Sequence, residues 1–218
     1  MNFEPNAALS FRFSERTADL GVLGLGLILG SAGAVGLIAA ALGAHDTEPT
    51  VAAILIYAAA LPATFLCALL LTATLGDRRR VLLRRIDHAA IFVMIAATAT
   101  PFALGPPSLG WSRSAAAAVW AAAGIGIFVK LRFPIGPLYR SAAAYVLLGC
   151  FSLLAIGPAI ASAEAVLLIA AGVAFYLVGL TVYLARRVRY RRAIWHVFVV
   201  LGAACHYFAV IDGVVLLR

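Results

Sequence analysis

The run from Leu20 to Ala44, LGVLGLGLILGSAGAVGLIAAALGA, is apolar throughout and longer than the ~20 residues a helix needs to cross the hydrocarbon of a bilayer. Six more such runs follow, near residues 51–75, 88–105, 114–129, 141–160, 165–185 and 193–217, the fourth being the shortest. Of 218 residues, 64% are hydrophobic and 12% charged, and the mean hydropathy is +1.04, so too few polar side chains exist to cover a water-soluble fold. The expected fold is therefore all-α, a bundle of seven transmembrane helices. The first run is too long for the core of a cleaved signal peptide and no clean cleavage site follows it, so this helix is expected to stay with the protein.

The net charge of +8 comes from 16 Arg and one Lys, placed mainly in the connections between apolar runs. That placement is a topology signal and excludes nucleic acid as the expected partner. Arg78, Arg79, Arg80, Arg84 and Arg85 lie between the second and third runs, Lys130, Arg132 and Arg140 between the fourth and fifth, and Arg186, Arg187, Arg189, Arg191 and Arg192 between the sixth and seventh. These connections are expected in the cytoplasm, with the N-terminus inside and the C-terminus outside. The outward connections carry His45, Asp46 and Glu48, then Glu164, with Arg113 as the one exception. Residues 1–18 read as a polar cytoplasmic tail and 19–218 as a single transmembrane domain, since no repeat or linker divides them. Cys67, Cys150 and Cys205 lack metal-finger or disulfide spacing and are expected to be buried free thiols. Pro62, Pro101 and Pro158 mark local kinks or helix ends. Gly26 and Gly30 have the spacing that lets two helix backbones approach, within one bundle or between protomers, which leaves the oligomeric state open.

Ionisable groups inside apolar runs are costly in lipid and usually mark a site or a structural pair. Here they are Asp87, His88, His196, His206 and Asp212. Asp87 and His88 open the third run and His196 lies one turn inside the seventh, at one common depth. His206 lies ten residues further along, about 15 Å deeper, too far to share a metal with His196. A core histidine bonded to a neighbouring helix is its plainer reading. Asp212 is expected near the outer end, within reach of water.

Two segments resemble a known family. Arg84-Arg85-Ile86-Asp87-His88-Ala89-Ala90-Ile91-Phe92, continuing to Ala97-Thr98-Ala99-Thr100-Pro101-Phe102, is similar to the third-helix signature of the hemolysin III family, related to adiponectin and progestin receptors. Ile194-Trp195-His196-Val197-Phe198-Val199, continuing through Gly202 to His206-Tyr207-Phe208, resembles its seventh-helix signature. The resemblance implies seven helices with the N-terminus inside, and a zinc ion held by a second-helix His, a seventh-helix His-x-x-x-His pair and a nearby third-helix Asp. Here the second-helix pattern falls near Cys67 to Leu71, with Cys in place of Ser and an apolar residue at or next to the His position, and Arg192 replaces the first His of the pair. Asp87 and His196 are what is left of the implied metal set. A hydrolytic zinc ordinarily takes three protein ligands, and a guanidinium cannot be one. His88, adjacent to Asp87, points about 100° away from it on a helix.

Arg192, one turn before His196 on the same face, is therefore expected to pair with Asp87 and close the cytoplasmic end without zinc. No cofactor is expected, zinc being the alternative. The leading functional reading is a hemolysin III-type integral protein of a bacterial inner (plasma) membrane, non-enzymatic or with a lost zinc site, with membrane lipids as partners and acting on or sensing lipid state. The alternatives are a zinc-dependent, ceramidase-like lipid-amide hydrolase and a pore or transporter. Against the last, no charge ring and no paired broken helices are visible.

Overall fold

In a computed structural model the chain forms seven helices long and apolar enough to span a bilayer, counted among the described residues, which are 5–43, 48–105, 110–133, 138–185 and 187–216. They are α1 (Pro5–Gly43), α2 (Glu48–Ala73), α3 (Asp77–Leu104), α4 (Ser112–Arg132), α5 (Leu138–Ile156), α6 (Ala163–Leu184) and α7 (Arg191–Val210). His45, Asp46 and Arg186, which entered the charge pattern, lie outside the described residues.

The helix bounds differ from the apolar runs in an instructive way. α1 begins at Pro5 rather than near residue 20, and α3 at Asp77 rather than 88. Hydropathy detects only the part of a helix that sits in lipid. Arginine is a good helix former, so Arg78 to Arg85 continue the helix into the headgroup region instead of forming a loop. α5 stops early at Ile156, because Gly157 and Pro158 turn the chain through a short 3-10 segment, Gly157–Ala159. α7 runs on through a π-helical turn, Ile211–Val215.

Helices adjacent in sequence pack as neighbours from α1 to α5, α7 packs on α1 and α6, and α3 touches α2, α4, α5 and α7. The centre is filled by Leu23, Leu37, Ile54, Tyr57, Phe92, Val119 and Val210. Outward, Ile28, Val35, Ile125, Leu147, Leu154 and Leu167 are exposed, the arrangement a lipid-solvated surface requires. Inside α2 and α3, Pro62 and Pro101 each interrupt the backbone ladder. Nearby hydroxyls return to carbonyls one turn back, Thr64 to Ala60 and Thr100 to Ala96, both at 2.8 Å.

The glycines of α1 work within the bundle. A Cβ on Gly26 would lie 2.7 Å from the Phe65 ring of α2, so only glycine lets these helices approach. Gly24, two residues earlier, has nothing within 4 Å. The cysteines are free as expected but not fully buried: Cys67 and Cys205 are half-buried and Cys150 is exposed, because α5 presents that face outward. Gly26→Leu should destabilise the protein by about 1–3 kcal/mol, whereas Gly24→Leu should change it by less than ~0.5 kcal/mol. Reversible denaturation in mixed micelles distinguishes the two.

Candidate functional site

The arginine-rich end of the bundle holds a polar cluster built on a residue outside the apolar runs. Asp19 of α1 is 1% exposed, five residues after the helix enters the spanning segment at Ser14. Two groups from α7 meet it. His196 Nδ1 lies 2.5 Å from Asp19 Oδ1, and Arg192 Nη2 lies 3.3 Å from Asp19 Oδ2. Spacing of four residues puts both on one face of α7, so one carboxylate receives both. Thr72, at the end of α2, donates to Asp19 Oδ2 at 3.3 Å and accepts from Arg192 Nη2 at 3.0 Å. Three helices are thereby joined through one buried carboxylate.

A second layer fixes the first. Arg16, one turn before Asp19, donates through Nε to the Thr72 carbonyl at 2.9 Å and through Nη2 to that of Ala73. These are among the carbonyls left unpaired at the end of α2, so Arg16 caps the helix that carries Thr72. α7 starts from Tyr190, the one described non-glycine residue with positive φ, at 57°. The Tyr190 N–H donates to Glu15 Oε1 at 3.3 Å and its hydroxyl lies 3.2 Å from Ser14 Oγ. Such a backbone costs about 1 kcal/mol or more and persists where surroundings hold it. Here α1 holds it and sets the start of α7.

Asp87 is half-buried and within electrostatic range of Asp19, Arg192 and His196. The expected Arg192–Asp87 pair does not form: among the described residues no cation lies within 4.0 Å of Asp87. α7 packs more extensively against α1 than against α3, so the guanidinium and imidazole both reach Asp19. His88 faces α5, edge-on to Tyr145 with centroids 6.4 Å apart. His206 is a buried core histidine: Nε2 lies 3.3 Å from the Ile169 carbonyl of α6, and the ring meets Tyr176 edge-on. A Cβ on Gly172 would be 2.5 Å or less from that imidazole, so glycine makes its room. At the far end Ser162 donates to Asp212 Oδ2 while its hydroxyl oxygen caps α6 by accepting from Ala165 N at 3.0 Å.

Asp87, Arg192 and His196 thus share one end of the bundle; His88 is at that end but turned toward α5, and His206 lies against α6. Asp19 and Thr72 complete the cluster and were not singled out from the sequence. The signal for Asp19 was a carboxylate one residue outside the first apolar run; for Thr72, a hydroxyl one residue past the second-helix pattern.

The fold and cluster define a seven-helix membrane protein with a buried carboxylate paired at the arginine-rich end of the bundle. The family profile described as Haemolysin-III related matches residues 22–207. The chain is 30% identical over 204 residues to the Hemolysin-3 homolog of Bacillus subtilis (strain 168), covering 92% of this chain and 95% of that protein. It is 32% identical over 203 residues to Hemolysin-3 of Bacillus cereus, covering 90% of each. The chain belongs to the haemolysin-III related family.

The donor set fits poorly the zinc that the sequence resemblance implies. Leu71 is apolar and buried at the second-helix position, Arg192 brings a fixed positive charge to Asp19, and His196 is the one imidazole present. Among the described residues no three His, Cys, Asp or Glu side chains converge in a metal-holding group. The side chains of the two partners differ in burial, that of Arg192 being 39% exposed and that of Asp19 2%. Removing each should therefore cost differently. Arg192→Ala, which leaves the buried carboxylate with only His196 and Thr72, should lower stability by about 2 kcal/mol or more, and Asp19→Ala, which leaves a cation able to reach water, by less. Denaturant unfolding of both variants measures the difference.

Proposed function

We propose that this protein is a non-hydrolytic member of its family, in which a fixed guanidinium takes the position of a bound metal and the bundle acts through its contacts with membrane lipid. The observation that carries this reading is Asp19, whose two oxygens are already engaged by His196, Arg192 and Thr72. A metal entering there would have to displace Arg192 and would find Asp19 and one histidine, without a third converging ligand among the described residues. A zinc that activates water for amide attack ordinarily has a stronger nitrogen or sulfur donor set than this. The clasp stabilises the arginine-rich end of α1, α2 and α7 without proton or metal chemistry.

The same reading places the protein as a multi-pass protein of a bacterial plasma membrane, with its arginine-rich ends in the cytoplasm and the C-terminus outside. Alternating basic and non-basic connections support that orientation. Arg78, Arg79 and Arg84 on the exposed start of α3 are suited to anionic headgroups. Metal analysis of protein purified without chelator is the direct test. Well under one zinc per chain is expected, and the double variant Thr72→His, Arg192→His, which puts imidazoles where Thr72 and Arg192 meet Asp19, should acquire zinc. Stoichiometric zinc in the unmodified protein would refute the proposal.

A further inference from the structure

On the far side of α3 from the Asp19 cluster, α4 and α5 part to form a cleft of about 580 Å³, within the ~300–1,000 Å³ of small-molecule sites. Its floor is the buried ring of Phe92, which reaches α4 because a Cβ at position 126 would stand 2.4 Å from it. Its walls are apolar, including Ile125, Leu147 and Phe151, all exposed toward lipid. The polarity changes only at the arginine-rich end, where Lys130, Arg140 and Ser141 line the mouth.

Lys130 is not extended into water. Its ammonium donates to Ser141 Oγ at 2.6 Å and lies 5.8 Å from the centroid of the Tyr145 ring. Ser141 is fully buried, and the Tyr145 hydroxyl is held by the His88 carbonyl at 3.2 Å, so both neutral partners are fixed. Among the described residues no carboxylate pairs with Lys130. An ammonium with neutral partners, a second cation on the rim and an apolar trough below are complementary to an anion carrying a long hydrocarbon tail. We propose that the α4–α5 cleft is a binding site for an anionic phospholipid, its phosphate at Lys130 and Arg140 and one acyl chain lying between Ile125 and Phe151 over Phe92.

This goes beyond the reading of the Asp19 clasp and is independent of it, since zinc content reports on one and lipid selectivity on the other. The test is native mass spectrometry of the whole protein released from a neutral detergent, titrated with phosphatidylglycerol and with phosphatidylcholine of the same chains. Each basic side chain near a lipid phosphate contributes about 1 kcal/mol, roughly fivefold, so phosphatidylglycerol should bind at least about fivefold tighter. Lys130→Gln with Arg140→Gln should abolish that preference, and Arg113→Gln, at the opposite end of α4, should preserve it. Ala144→Phe, which fills the trough and leaves both cations, should remove tight binding, and Ile125→Trp tests the opposite wall should the first variant fail to fold. Equal binding of the two lipids, selectivity surviving in the Lys130/Arg140 variant, or full displacement by equimolar glycerol phosphate would overturn the proposal.

Discussion

A carboxylate removed from water inside a membrane protein persists as an ion only where other charges and donors surround it. Asp19 is such a group, and the geometry of the arginine-rich end follows from satisfying it. α7 contributes Arg192 and His196, α2 contributes Thr72, and Arg16 ties the last carbonyls of α2 back to α1. Even the left-handed turn at Tyr190 belongs to this arrangement, because the helix it starts must present two residues one turn apart to α1. The apolar core fills the bundle, but this clasp fixes how its first and last helices meet.

The clasp gives physical meaning to a departure from the family's zinc pattern. Where the resemblance implies a His-x-x-x-His pair on the seventh helix, this chain has Arg192 and His196. Both still act on the same partner side chain, so the spacing is used while the chemistry changes. A metal gathers several ligands around one centre; here one carboxylate gathers several donors around itself. The function proposed for this member of the haemolysin-III related family rests on that inversion.

Much of this was legible in the sequence, for identifiable reasons. Seven spans follow from the apolar runs, because lipid demands continuous hydrophobic stretches. His206 read as a core residue and His88 as pointing away from Asp87, and both sit so, since helix periodicity fixes direction. Helix ends were less legible: α3 begins eleven residues before its apolar run, where arginines extend the helix beyond the hydrocarbon. The same effect hid Asp19, which stands one residue outside the first run yet deep inside α1. The Arg192 partner was misassigned because periodicity says which face a residue occupies, not which neighbouring helix that face meets. The pairing of Lys130 with Ser141 likewise depends on how α4 and α5 close on each other.

Two double-mutant cycles for unfolding report which carboxylate holds Arg192, one joining Asp19→Ala with Arg192→Ala and the other joining Asp87→Ala with Arg192→Ala. A coupling of about 1 kcal/mol or more between Asp19 and Arg192, with a clearly smaller value between Asp87 and Arg192, is the result this account predicts. A dominant coupling between Asp87 and Arg192, with Asp19 additive, would contradict it.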